Sequence, residues 1–106
     1  MVLSAKERIT LLGILPGQGN FRTLSAVQKL RDNLIFTEQE AKTWEIRQEE
    51  DRVFWNPEKT KDVDIQIGEI GLEVIEESLS NLDKDKKLTT DHLSLWDKFI
   101  ENKKEG

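Results

Sequence analysis

The chain has 106 residues, a formal net charge of -5, 36% hydrophobic and 35% charged residues, and no cysteine. That length supports one domain over 1–106 around a single core and leaves no room for a second. Without thiols, disulfides, thiolate metal sites and cysteine nucleophiles are excluded.

The apolar fraction lies below that of an average globular domain and the charged fraction above it, so the core is small and the surface heavily ionised. Charge is also unevenly spread. Residues 1–42 hold six Lys/Arg against four Asp/Glu, and residues 43–106 hold ten against seventeen. The acidic half should repel nucleic acid. The apolar run from Ile9 to Leu15 is too short for a signal peptide or a membrane span, so the expectation is a soluble protein of the cytoplasm.

Ser4-Ala5-Lys6-Glu7 has the spacing of a capping box, with serine and glutamate satisfying the first backbone N–H groups of a helix from Ala5 to about Leu15. Pro16 and Gly17 stop it. Phe21, Leu24, Val27, Leu30 and Leu34 then recur every three or four residues, which predicts an amphipathic helix from Phe21 to about Asn33. Thr37 to Glu40 repeats the capping box and opens a short helix from Glu38 to about Thr43.

The stretch from Trp44 to Asn56, WEIRQEEDRVFWN, alternates with period two on either side of an acidic loop at Glu49 to Asp51. This predicts a β-hairpin resting against the helices, with the tryptophans as anchors. After the break at Asn56-Pro57, Val63, Ile65 and Ile67 alternate as in a strand. Yet Val63, Ile67, Ile70, Val74, Leu79 and Leu82 keep helical spacing. The longer pattern predicts one helix from Val63 to about Leu82, with a strand ending at Gly68 as the rival reading. Gly68 and Gly71 are expected where another helix approaches closely. Leu88, Thr89 and Leu93 match a hydrophobic staple around a threonine cap, so a last helix runs from Thr90 to about Asn102, presenting Leu93, Trp96 and Ile100 with Leu95 and Phe99 beside them, and with Lys103 and Lys104 at its end. The expected class is therefore mainly α (α+β), about five helices with one central β-hairpin.

Little in this sequence carries catalytic chemistry. His92 is the single histidine and falls in the first turn of a helix, where a capping role suits it better than metal or base chemistry. Glu69, Glu73, Glu76 and Glu77 lie along one helix, but holding metal-bridged phosphates takes carboxylates from two facing elements, and the last helix offers no matching pair. The glycine-bearing segment from Gly13 to Asn20 lacks the Lys-Ser/Thr and the preceding strand of a phosphate loop. No catalytic residue, metal or cofactor is expected.

Three helices followed by a hairpin is the order of a winged helix-turn-helix, with Arg22, Lys29 and Arg31 as the candidate nucleic-acid contacts. The short third helix, however, carries Glu38 and Glu40, and the hairpin tip is Glu49-Glu50-Asp51, the wrong charge for phosphate. Protein recognition fits better: Glu49, Glu50, Asp51, Phe54 and Trp55 combine steering charge with aromatic area. A homodimer through the long helix and the last helix is compatible with the same pattern.

Three pieces, LLGILPGQGNFRTLSAVQKLRDNLIFTEQE, VFWN and KKLTTDHLSLWDKFI, resemble small uncharacterised proteins encoded by bacteriophages and prophages. The resemblance implies a phage context, hence the host cytoplasm, and no established activity. The expected function is a non-enzymatic accessory protein that binds a host or virion protein through its acidic and aromatic surface. The alternatives are a winged-helix-like DNA-binding regulator and an acidic DNA mimic that inhibits a DNA-binding protein.

Overall fold

The computed structural model describes residues 1–101. Both capping boxes form. Ser4 caps α1 (Ala5–Ile14) and Thr37 caps α3 (Glu38–Thr43), each with its hydroxyl accepting from the backbone N–H of the glutamate three residues on. Between them α2 (Phe21–Leu34) starts from Asn20, whose side chain accepts from the Thr23 N–H at 2.8 Å. Residues 15–20 are thus a helix–helix turn, and Gly13 and Ile14 belong to α1.

The hairpin pairs β2 (Arg47–Glu49) with β3 (Arg52–Phe54), antiparallel with Glu49 opposite Arg52. Two residues, Glu50 and Asp51, close it, so the loop is one residue shorter than expected. Glu50 takes φ 54, a left-handed conformation that tight hairpin turns require and that glycine more often supplies. Trp44, at the base, is only 5% exposed and anchors the hairpin edge-on to Phe36, with ring centroids 5.9 Å apart. Its partner Trp55 is half-buried, and β2 is exposed throughout. The two strands pack mainly on each other, and on the returning run Val53, Phe54 and Trp55 are half-buried.

The predicted long helix from Val63 is shorter than expected. Val63–Asp64 is a strand, β4, paired antiparallel with β1 (Val2–Leu3), and helix α4 covers Glu69–Lys84. The residues between belong to neither element, and Gly68 makes the transition with φ 79, which a residue with a Cβ adopts only under strain. The apolar positions 63, 67, 70 and 74 fit a helix and a strand leading into a helix equally well; the pairing of β1 with β4 decides for the strand. Gly71 alone lies at a close helix approach, since a Cβ there would meet the Leu30 side chain of α2 at 3.2 Å, whereas the space beside Gly68 is open.

The last helical stretch, 90–101, changes its winding twice: a 3₁₀ turn Thr90–His92, an α-turn α5 (Leu93–Trp96), and a π-turn Asp97–Glu101. This shifts the buried stripe. Leu95 and Phe99 enter the core, while Leu93, expected inside, is 57% exposed. The predicted end at Asn102 and the lysines at 103 and 104 lie outside the described residues.

The core joins Leu3, Leu11, Leu15, Val27, Leu30, Leu34, Ile65, Val74, Ile75, Leu79, Leu95 and Phe99. Helices α1, α2 and α4 pack around it, and the last helical stretch closes one side. The described residues are mainly α with two small two-stranded antiparallel pairs, one more than the single hairpin expected. Among the described residues no helix is long and apolar enough to cross a membrane.

Candidate functional site

Arg8 is the most conspicuous charged group of the interior, only 2% exposed. Its Nε–H donates to Leu34 O at 3.0 Å and one Nη donates to Ile35 O at 2.8 Å. Both Nη groups meet the Glu40 carboxylate, at 2.9 and 3.1 Å. The guanidinium also lies 4.6 Å from the Phe36 ring centroid and 5.9 Å from that of Trp44. One side chain thereby closes the carbonyl end of α2, holds the start of α3 and seats the hairpin anchor. Burial pushes the Glu40 carboxyl up, but the Arg8 hydrogen bond and the Thr37 N–H outweigh it and hold Glu40 below its ordinary value.

Glu7 repeats this arrangement. Its Oε1 accepts from the Ser4 N–H at 2.9 Å and from Lys98 Nζ at 2.7 Å, and Lys98 also donates to Val2 O at 2.9 Å. Burial raises the Glu7 carboxyl; hydrogen bonds from Lys98, the Ser4 backbone and Ser94 lower it more, so the net shift is downward. Each capping-box glutamate therefore does a second job, receiving a cation from a distant element. These are structural clamps: their donors and acceptors are mutually satisfied, and no described side-chain N or O is buried without a partner.

His92 acts as a cap, its Nδ1 accepting from the Thr89 N–H at 2.9 Å. The carboxylates Glu69, Glu73, Glu76 and Glu77 follow one another along α4, and among the described residues no group of three His, Asp or Glu side chains is arranged to hold a metal ion.

The residues expected to meet a protein partner are brought together only in part. Glu49, Glu50 and Asp51 form the exposed tip of the hairpin. Phe54 stands opposite Arg47, whose guanidinium covers its ring at 5.4 Å, and both Phe54 and Trp55 are half-buried. The hairpin thus offers charge, with its aromatic area partly screened.

The nucleic-acid candidates divide as well. Arg22 and Lys29 are seven residues apart, about two helical turns, and share one face of α2, while Arg31 is rotated by about 180° from Arg22. Arg22 and Lys29 line a groove between α2 and the start of α4, together with Phe21, Ser25, Ala26, Ile67, Glu69, Ile70 and Gly71. The groove measures about 580 Å³, within the range of sites that enclose a small ligand or a few side chains.

Phe21 was expected to begin the buried stripe of α2. It is instead 86% exposed, and Leu24, one turn on, is also exposed. The stripe enters the core only from Val27, because α4 crosses α2 where Gly71 meets Leu30 and does not reach back over the first turn. Sequence reasoning missed this site: an apolar residue at helical spacing gives the same signal whether or not a second helix covers it.

No known protein-family model, no curated protein and no solved structure matches the chain. The class defined by the fold and site is a small, mainly α domain with an acidic-tipped hairpin and an open apolar groove.

Proposed function

We propose that the protein is a non-enzymatic accessory factor that works by binding another protein, in keeping with the phage context the sequence resemblance implies. The observation that carries this reading is Phe21: a phenylalanine 86% exposed at the rim of a groove that also presents Ile67 and Ile70. Exposed aromatic area gathered at a concavity is the makeup of an interaction anchor, whereas scattered surface apolar residues are ordinary.

The acidic tip Glu49-Glu50-Asp51 contributes steering charge on another part of the surface, a role that affects association rate more than affinity. The DNA-binding alternative is the weaker one: Arg31 is turned away from Arg22 and Lys29, and the hairpin meets a phosphate backbone with three carboxylates.

Affinity capture compared across three proteins tests the reading. A partner taken by the wild type should be lost with Phe21→Ser and kept with the hairpin variant Phe54→Ala, Glu50→Lys. Loss with the hairpin variant alone would move the binding site to the hairpin. Identical capture by all three would remove both surfaces from the account.

A further inference from the structure

The groove between α2 and α4 has a chemistry more specific than an apolar patch. Its lining includes the small residues Ser25, Ala26 and Gly71, and Gly71 lies against the Leu30 side chain of α2. Phe21 at one end and Ile67 and Ile70 along the α4 side form apolar walls. Arg22 and Lys29 stand along the α2 edge, about 10 Å apart by helix geometry, and Glu69 stands on the opposite edge. Among the described residues none of these three joins an ion pair; the cations so engaged are Lys6, Arg8, Arg47, Lys59, Lys98 and the terminal amine of Met1.

Building on the protein-binding reading, we propose that this groove receives an acidic amphipathic helix of a partner protein. Two or three large apolar side chains enter between Phe21, Ile67 and Ile70. Carboxylates about two turns apart on one edge of the incoming helix pair with Arg22 and Lys29. The opposite edge, facing Glu69, is uncharged or basic.

Helix-in-groove recognition places apolar anchors at i, i+3 or i+4, and i+7. The same seven-residue interval separates Arg22 from Lys29 on α2, so one register satisfies both the apolar and the charged contacts. A second copy of this chain docking groove to groove would offer at most one lining carboxylate, Glu69, to the two cations Arg22 and Lys29. The charge pattern argues against duplex DNA as well, since phosphates would be set against Phe21, Ile67 and Glu69 in place of a cationic surface.

The test uses the full chain and three synthetic helical peptides that share one set of leucine and phenylalanine anchors, with one edge carrying glutamate, glutamine or lysine. Affinity is measured by fluorescence anisotropy at low and physiological salt. The acidic peptide should bind most tightly, and Arg22→Glu with Lys29→Glu should weaken it roughly fivefold to tenfold while favouring the lysine peptide. Both substitutions and Phe21→Ser lie at exposed positions, so unchanged thermal melting confirms intact folding.

Equal binding of all three peptides, abolished by Phe21→Ser, would overturn the acidic-partner inference and leave the protein-binding reading standing. Binding of none of them, with dimerisation of the free chain lost on Phe21→Ser, would assign the groove to a second copy and overturn the inference. Retardation of random duplex lost in the charge-reversed variant would overturn both.

Discussion

Replacing Arg8 with methionine removes the guanidinium but keeps an unbranched stem of similar length, so the perturbation is electrostatic rather than a large cavity. The Leu34 and Ile35 carbonyls lose their donors and the half-buried Glu40 carboxylate loses both of its Arg8 hydrogen bonds. Breaking a buried ion pair from one side costs about 3–5 kcal/mol, because the remaining charge is left uncompensated. A domain of this length is stable by roughly 5–15 kcal/mol, so the loss is a large share of the total. Since about 1 kcal/mol moves the melting temperature of a domain near this size by roughly 4 °C or more, the fall should be at least about 12 °C. Urea unfolding measures the free-energy loss and thermal unfolding the fall in melting temperature, both followed by tryptophan fluorescence, with Trp44 lying beside Arg8. Adding Glu40→Met should recover part of the loss, with a coupling of about 1–3 kcal/mol, because no charge then remains stranded. A loss below about 1 kcal/mol, or strict additivity of the two substitutions, would refute the clamp.

Three further outcomes follow from the same geometry. Glu7 and Glu40 have carboxyls held below their ordinary value near 4.5 in the folded state. Their contribution to stability is complete above that value and disappears as pH falls through the depressed folded values; urea midpoints should drop on acidification below about pH 5, and Glu40→Gln should flatten the drop. Gly68→Ala should cost about 1–2 kcal/mol in the same assay although the space beside it is open, because φ 79 disfavours any Cβ. Phe21→Ser should leave the urea midpoint within about 0.5 kcal/mol of wild type, as expected of an exposed side chain.

Local signals in the sequence were legible wherever neighbouring residues decide the outcome. Both capping boxes and the bounds of α3 follow from hydroxyl and glutamate three residues apart, and the α2 stripe follows from its spacing. What could not be read depends on distant residues. Glu7 and Glu40 were legible as caps but not as cation acceptors, since Lys98 and Arg8 are brought to them across the fold. The pairing of β1 with β4 joins the start of the chain to Val63–Asp64, a pairing that no local pattern encodes. In the last helical stretch Trp96 and Ile100 pack against the core as expected, but Leu95 and Phe99 sit deepest and Leu93, beside the 3₁₀ turn, faces outward.

The groove on α2 was not legible as a site, because its residues read as part of an ordinary amphipathic helix. An acidic and aromatic hairpin was correctly located, yet Arg47 screens Phe54 there. The more exposed aromatic is Phe21, on the face that brings Arg22 and Lys29 together.

The most direct measurement of the central claim is a map of backbone amide shifts in the isotopically labelled full chain, titrated with the acidic amphipathic peptide. The account predicts saturable shifts concentrated on residues 21–29 and 67–71, with the hairpin tip 49–51 unmoved. Shifts confined to the hairpin, or none at saturating peptide, would contradict it.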